Sequence, residues 1–146
     1  IGDSTVMFGM PDTIIEPDTV FESMLAAHER DAADVTLGLF PTGYPSKFGM
    51  VAMDDNNNVL YTIDKPKASD LQYMWGCAIW SPAFTELLAE FVSSRNGNTK
   101  ENVLGDVFNL AIERKMKVKG FAAADGKYID IGTSDELDSA LKKFHL

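Results

Sequence analysis

The sequence holds a single cysteine in 146 residues, so no disulfide can form within the chain. That composition favours a reducing compartment such as the cytoplasm. No apolar run approaches the length that spans a bilayer. No basic segment leads into an apolar one at the start, so no secretory leader is read. Basic residues are scarce: 13 lysines and arginines against 22 acids give a net charge of −9. Such a field repels nucleic acid phosphates, and neither nucleic acid nor membrane is an expected partner. An anionic substrate would need local lysines or metal ions to offset the field, and most of the acids read as ordinary solubilising surface. Repeats, low-complexity tracts and linkers are missing too. The length suits one α/β domain over residues 1–146. The chain opens on Ile1 and enters a strand almost at once, so further sequence is expected ahead of it.

What is present alternates between two periodicities. Ser4–Met10 is short and apolar and ends at Pro11-Asp12. It reads as a central strand buried on both faces, with some neighbours expected from preceding sequence. Asp18 or Thr19 can cap a helix to about Arg30, with Phe21, Met24, Leu25 and His28 on one stripe. His28 reads as a packed or surface histidine. Val35–Phe40 is a strand, and Pro41–Ser46 a loop. Two apolar runs, Phe48–Met53 and Val59–Ile63, flank Asp54-Asp55-Asn56-Asn57-Asn58 and predict a hairpin. Met74–Trp80 is a further strand. Pro82 opens a helix to about Ser94, and Ser93–Lys100 is a polar loop. Asn102 can cap a helix that buries Leu104, Val107, Phe108, Ala111 and Ile112. Lys117–Ala123 and Lys127–Ile131 are strands, and Ser134 caps a last helix, Asp135–Phe144. A hairpin inside an alternating pattern predicts a mixed sheet covered by helices.

Chemistry is sought first in acids at strand ends, because ligands of open α/β sheets collect outside the carboxyl ends of strands. Asp12 and Asp130 are such acids. Two carboxylates there could share Mg²⁺, a hard cation that takes oxygen ligands and substrate phosphates; on spacing alone the more ordinary role is for each to cap a neighbouring turn or helix. The spacing does not bring them together. Lys65, in Asp64-Lys65-Pro66, can meet a phosphate as a point charge while Asp64 accepts sugar hydroxyls, or it can stand as a solvated loop lysine. Gly49, in Lys47-Phe48-Gly49-Met50, allows close approach of backbone to a ligand, or a bend. Trp75-Gly76 offers an indole surface with room beside it, or a packed core ring. Cys77 reads as a small buried hydrophobe with no basic neighbour to activate it.

Taken in order, Pro11-Asp12, Phe48-Gly49-Met50, Asp64-Lys65-Pro66, Trp75-Gly76 and Asp130-Ile131-Gly132-Thr133 resemble the sugar-phosphate nucleotidylyltransferase family, which includes glucose-1-phosphate thymidylyl- and uridylyltransferases. The resemblance implies part of a Rossmann-like α/β fold with a mixed sheet flanked by helices. It implies transfer of a nucleotidyl group from a nucleoside triphosphate to a sugar 1-phosphate, with release of pyrophosphate. Asp12 and Asp130 would hold the catalytic Mg²⁺ and Lys65 would grip the sugar phosphate. Asp64 and Gly49 would face the sugar hydroxyls, Trp75 and Gly76 would line the pocket, and Asp106 would match a sugar-side acid. Residues 1–146 would then be the sugar-phosphate- and metal-binding part, and a homo-oligomer is compatible with it.

Two positions depart from the family pattern. Asp64 stands where glutamate is usual, and Pro11 where glycine is usual. The family's G-x-G-T-R-L segment, which cradles the triphosphate, is not in this sequence. The chain alone is therefore expected to be inactive or nearly so. Two rival readings remain: a metal-dependent glycosyltransferase of related fold, and a non-catalytic sugar-phosphate-binding module.

Overall fold

The computed structural model describes residues 2–95 and 101–144. Residues 96–100 of the expected polar loop lie outside them. The strands are β1 (Val6–Gly9), β2 (Thr13–Glu16), β3 (Val35–Pro41), β4 (Gly49–Met53), β5 (Val59–Asp64), β6 (Tyr73–Trp80), β7 (Val118–Ala122) and β8 (Lys127–Asp130). The helices are α1 (Val20–Asp31), α2 (Pro82–Ser94), α3 (Leu104–Glu113) and α4 (Ser134–Phe144). The main sheet runs β5-β4-β6-β3-β7, with β1 also paired to β6. Only β3 and β7 run parallel; the other ladders are antiparallel, so the sheet is mixed as expected. β2 and β8 form a separate antiparallel ribbon.

The central strands are buried on both faces. Val35, Leu37, Leu39 and Ala78 pack under α2 and α3 with Phe84, Phe91, Val107 and Phe108. Phe40, Met50, Cys77 and Ile79 pack on the opposite face with Val20 and Met24 of α1. Cys77 is fully buried, and burial pushes its thiol up to about 12. The β4–β5 turn follows from its polar run. Asp54 Oδ1 accepts the backbone N–H groups of Asn56 and Asn58 at 2.9 and 2.8 Å, and Asn57 takes the left-handed conformation at φ 60°.

Several expectations are corrected. β1 is the strand expected to draw some of its neighbours from preceding sequence. Among the described residues it pairs along one side, with β6, and its residues alternate between half-buried and exposed, with Met7 48% exposed. β2 went unread because Thr13–Glu16 is only four residues long. Thr19 stands at the start of α1 but makes no side-chain cap bond. Val103, not Asn102, precedes α3. Thr133, not Ser134, caps α4: its hydroxyl accepts from the Glu136 N–H at 3.3 Å and donates to the Glu136 carboxylate at 2.9 Å. Among the described residues no helix is long and apolar enough to cross a membrane.

His28 is buried, with Nδ1 2.9 Å from the Thr36 hydroxyl. Burial holds its pKa below the ordinary 6.5, against the pull of Asp34 and Glu29. A proton is thus harder to add in the fold than in the unfolded chain. The stability this gives is complete above pH 6.5 and declines as the pH falls below it. The thermal midpoint is expected to drop between pH 7.5 and pH 5.5 in wild type and to drop less in His28→Gln. Identical profiles for the two proteins would contradict this.

Candidate functional site

Along one edge β6 changes partner. Cys77 to Trp80 pair with β1, whereas Tyr73 and Met74 pair with β4. Among the described residues, Trp75 and Gly76 face no strand on that side. A sheet that changes partner opens a crevice at the change, and Asp12, Gly49, Trp75 and Gly76 lie around it. Met10, Pro11 and Asp12 continue from the end of β1. Gly49 opens β4 and stands opposite Asp64 across the β4–β5 ladder.

Asp12 and Asp130 meet. Thr13 pairs with Asp130 across the β2–β8 ribbon, and the Ile131 N–H donates to the Asp12 carbonyl at 2.9 Å. Their carboxylates converge on the empty side of Gly132, where a Cβ would lie 2.9 Å from Asp12 Oδ2 and 3.1 Å from Asp130 Oδ1. Asp130 Oδ1 also accepts the Gly132 N–H at 2.8 Å, so this acid caps its own turn as well. Asp12 is exposed and Asp130 half-buried. Two carboxylates converging on a point that no side chain fills suit a hard divalent cation. Among the described residues no third histidine, cysteine or acid joins them as a metal-sized cluster; water or a ligand phosphate would complete the shell. Gly132→Ala is expected to weaken Mg²⁺ uptake about tenfold, because a Cβ pushes the acids apart. Calorimetric titration with MgCl₂ reads this directly, and an unchanged affinity would refute it.

Tyr128 was not a candidate, although it lies two residues before Asp130 on the same strand and so on the same face. Its ring packs against Phe40 and edge-on against Phe48, with centroids 5.7 and 5.9 Å apart. Burial pushes its hydroxyl up to about 12; a hydrogen bond with Thr13 opposes this, while the charges of Asp130 and Asp12 add to it. Gly76 lies beneath this ring: a Cβ there would come within 2.4 Å of it.

Gly49 lies against the other tryptophan edge. A Cβ on it would come within 2.4 Å of Trp75 Nε1. Trp75 is half-buried, edge-on to Phe108 at 5.2 Å and tilted against Phe8 at 6.5 Å. It is therefore both packed and turned toward the crevice residue Gly49. Lys65 holds the left-handed conformation at φ 42°, and its N–H donates to the Phe48 carbonyl at 3.0 Å. Asp64 and Lys65 are exposed. Phe48 thus links Lys65 through the backbone to Tyr128 through its ring. Asp106 lies in the first turn of α3, 3.8 Å from Arg95. A cavity of about 390 Å³ opens beside Asp130, between Lys47, Phe48, Tyr128 and α4. Lys47 Nζ lies at its wall, 3.7 Å from Glu136.

A family profile described as Nucleotidyl transferase matches residues 2–145. Three solved structures share the fold. An apo UDP-glucose pyrophosphorylase matches with a TM-score of 0.81 at 16% identity, over 99% of this chain and 55% of its own. A UTP-bound UGPase from Acinetobacter baumannii matches at 0.76 and 16%, over 98% and 51%. An inositol-1-phosphate CTP transferase from T. maritima matches at 0.73 and 18%, over 98% and 55%. The chain spans about half the length of these structures.

Proposed function

The chain belongs to the nucleotidyl transferase family, and on that premise we propose that it forms the sugar-phosphate side of a cytoplasmic enzyme. That enzyme joins a nucleoside triphosphate to a sugar 1-phosphate, giving a nucleotide sugar and pyrophosphate. The observation that carries this is the meeting of Asp12 and Asp130 beside a crevice lined by Gly49 and Trp75.

In the proposed reaction a phosphate oxygen of the sugar 1-phosphate attacks the α-phosphorus of the nucleotide, and pyrophosphate leaves. Asp12 and Asp130 would hold Mg²⁺. When bound, the cation would supply neutralisation of the charge that gathers on the phosphates. Lys65 offsets the repulsion between the sugar phosphate and the α-phosphate. Asp64 accepts a sugar hydroxyl, while Gly49 lets backbone approach the ring. Trp75 and Gly76 shape the crevice wall, and Asp106 serves the sugar side from α3. Together these groups orient the nucleophile, the main contribution a protein makes to such transfers.

An NMR titration tests the reading, because it registers even millimolar binding. Glucose 1-phosphate is expected to shift the amides of Gly49, Lys65 and Trp75, and MgCl₂ those of Asp12, Asp130 and Gly132. Lys65→Ala removes the first set and leaves the second. If neither ligand shifts these amides, the proposal fails.

A further inference from the structure

β5 is the outer strand of the main sheet, yet at Thr62 its outer side is satisfied by a side chain. The Thr62 N–H donates to Asn109 Oδ1 at 2.7 Å, and Asn109 Nδ2 donates back to the Thr62 carbonyl at 2.9 Å. One carboxamide thus makes the two bonds that a neighbouring strand would make. The Thr62 hydroxyl donates one turn earlier on α3, to the Gly105 carbonyl at 3.0 Å. Thr62 is buried, 6% exposed, in this grip. Gly105 permits the approach: a Cβ on it would lie 3.1 Å from Thr62 Oγ1.

We propose that Asn109 is a positioning residue, acting through Thr62 to hold Asp64 and Lys65 against Gly49; the proposal rests on the sugar-phosphate reading of that pair. Asp64 follows Thr62 by two residues and ends β5 opposite Gly49. Lys65 leaves the strand in a left-handed conformation, fastened to the Phe48 carbonyl. Beyond Thr62 the outer side of β5 has no further strand among the described residues. The carboxamide therefore fixes the strand one step before its site residues. The same grip ties β5 to the helix that carries Asp106, three residues before Asn109 and on the same helix side. An outer strand without such a clamp frays toward its end, and a lysine at a frayed end loses the fixed geometry that phosphate binding uses. The acids Asp12 and Asp130 stand on the other ribbon and do not depend on this clamp.

Two measurements on this chain test the proposal. In Asn109→Ala, the Thr62 and Lys65 amides are expected to exchange with deuterium at least about tenfold faster, while the Gly132 amide stays unchanged. Glucose 1-phosphate, followed by NMR, should bind about tenfold more weakly, with Mg²⁺ affinity within twofold of wild type. Asn109→Asp keeps the acceptor and loses the donor, and should weaken glucose 1-phosphate in the same selective way. A folded Asn109→Ala with wild-type exchange at Lys65 overturns the proposal. So does an equal loss of glucose 1-phosphate and Mg²⁺, or failure of both variants to fold, since the clamp would then be general support. If wild type takes up no glucose 1-phosphate, the functional reading falls, and exchange at Lys65 still decides the clamp.

Discussion

Asp12→Asn is expected to reduce Mg²⁺ affinity at least about 100-fold while leaving the thermal midpoint unchanged or slightly raised. The two halves of this result come from one geometry. Asp12 Oδ2 and Asp130 Oδ1 lie close to the same point beside Gly132, so without a cation two like charges share that space. Neutralising one relieves repulsion, and because Asp12 is exposed, little packing is lost. With a cation the balance reverses, because one of the two carboxylates that would hold it no longer carries charge. Asp130→Asn should show the same loss of affinity. Stability distinguishes it, because Asp130 also accepts the Gly132 N–H. In a protein that adds the nucleotide-gripping segment, either change should lower pyrophosphate release about 1000-fold. Calorimetry with MgCl₂ and a thermal melt check the first claim. Wild-type Mg²⁺ affinity in Asp12→Asn would remove the basis of the metal assignment.

Phe108→Ala carries the largest expected cost in stability, about 3–5 kcal/mol. Phe108 is fully buried, edge-on to Trp75 and stacked on Phe84 at 5.6 Å. Removing the ring leaves a cavity that α3 cannot close, because Thr62 and Asn109 hold the helix to β5. For a chain of this size the thermal midpoint should fall by about 10 °C. Trp75 loses the ring against which it stands, so its fluorescence should shift to the red. Phe108→Leu, which keeps most of the volume, should cost under about 1.5 kcal/mol. Equal melting of wild type and Phe108→Ala would refute the account of this core.

The sequence made the regular elements legible where local chemistry decides them. Pro82 at a helix start, the Asp54–Asn58 turn and the apolar run of β6 are all set by residues close together. Where the partner lies far along the chain, local reading failed. β1 reads as buried because its residues are apolar, but burial depends on neighbours, and among the described residues it has β6 on one side. β2 is too short to show a period, and its ladder to β8 is a long-range event. Thr133 and Ser134 both suit a helix cap, and only the bonds choose between them. Asp12 and Asp130 were named separately by position and joined only by resemblance; their convergence is a fact of the fold. Asn109 carries no signal at all, since an asparagine within a helix reads as ordinary polar surface.

The two acids ride on the same narrow ribbon. Asp12 immediately precedes β2, Asp130 ends β8, and four residue pairs bind those strands to one another. Their separation is therefore a local dimension, like the gap of a caliper whose jaws share one beam. A shift of the ribbon against the large sheet would carry both acids together and leave the gap unchanged. On the proposed reading, grip on a cation would be set through Gly132, and the placement of the ribbon over the crevice through the contacts of Tyr128 with Phe40 and Phe48.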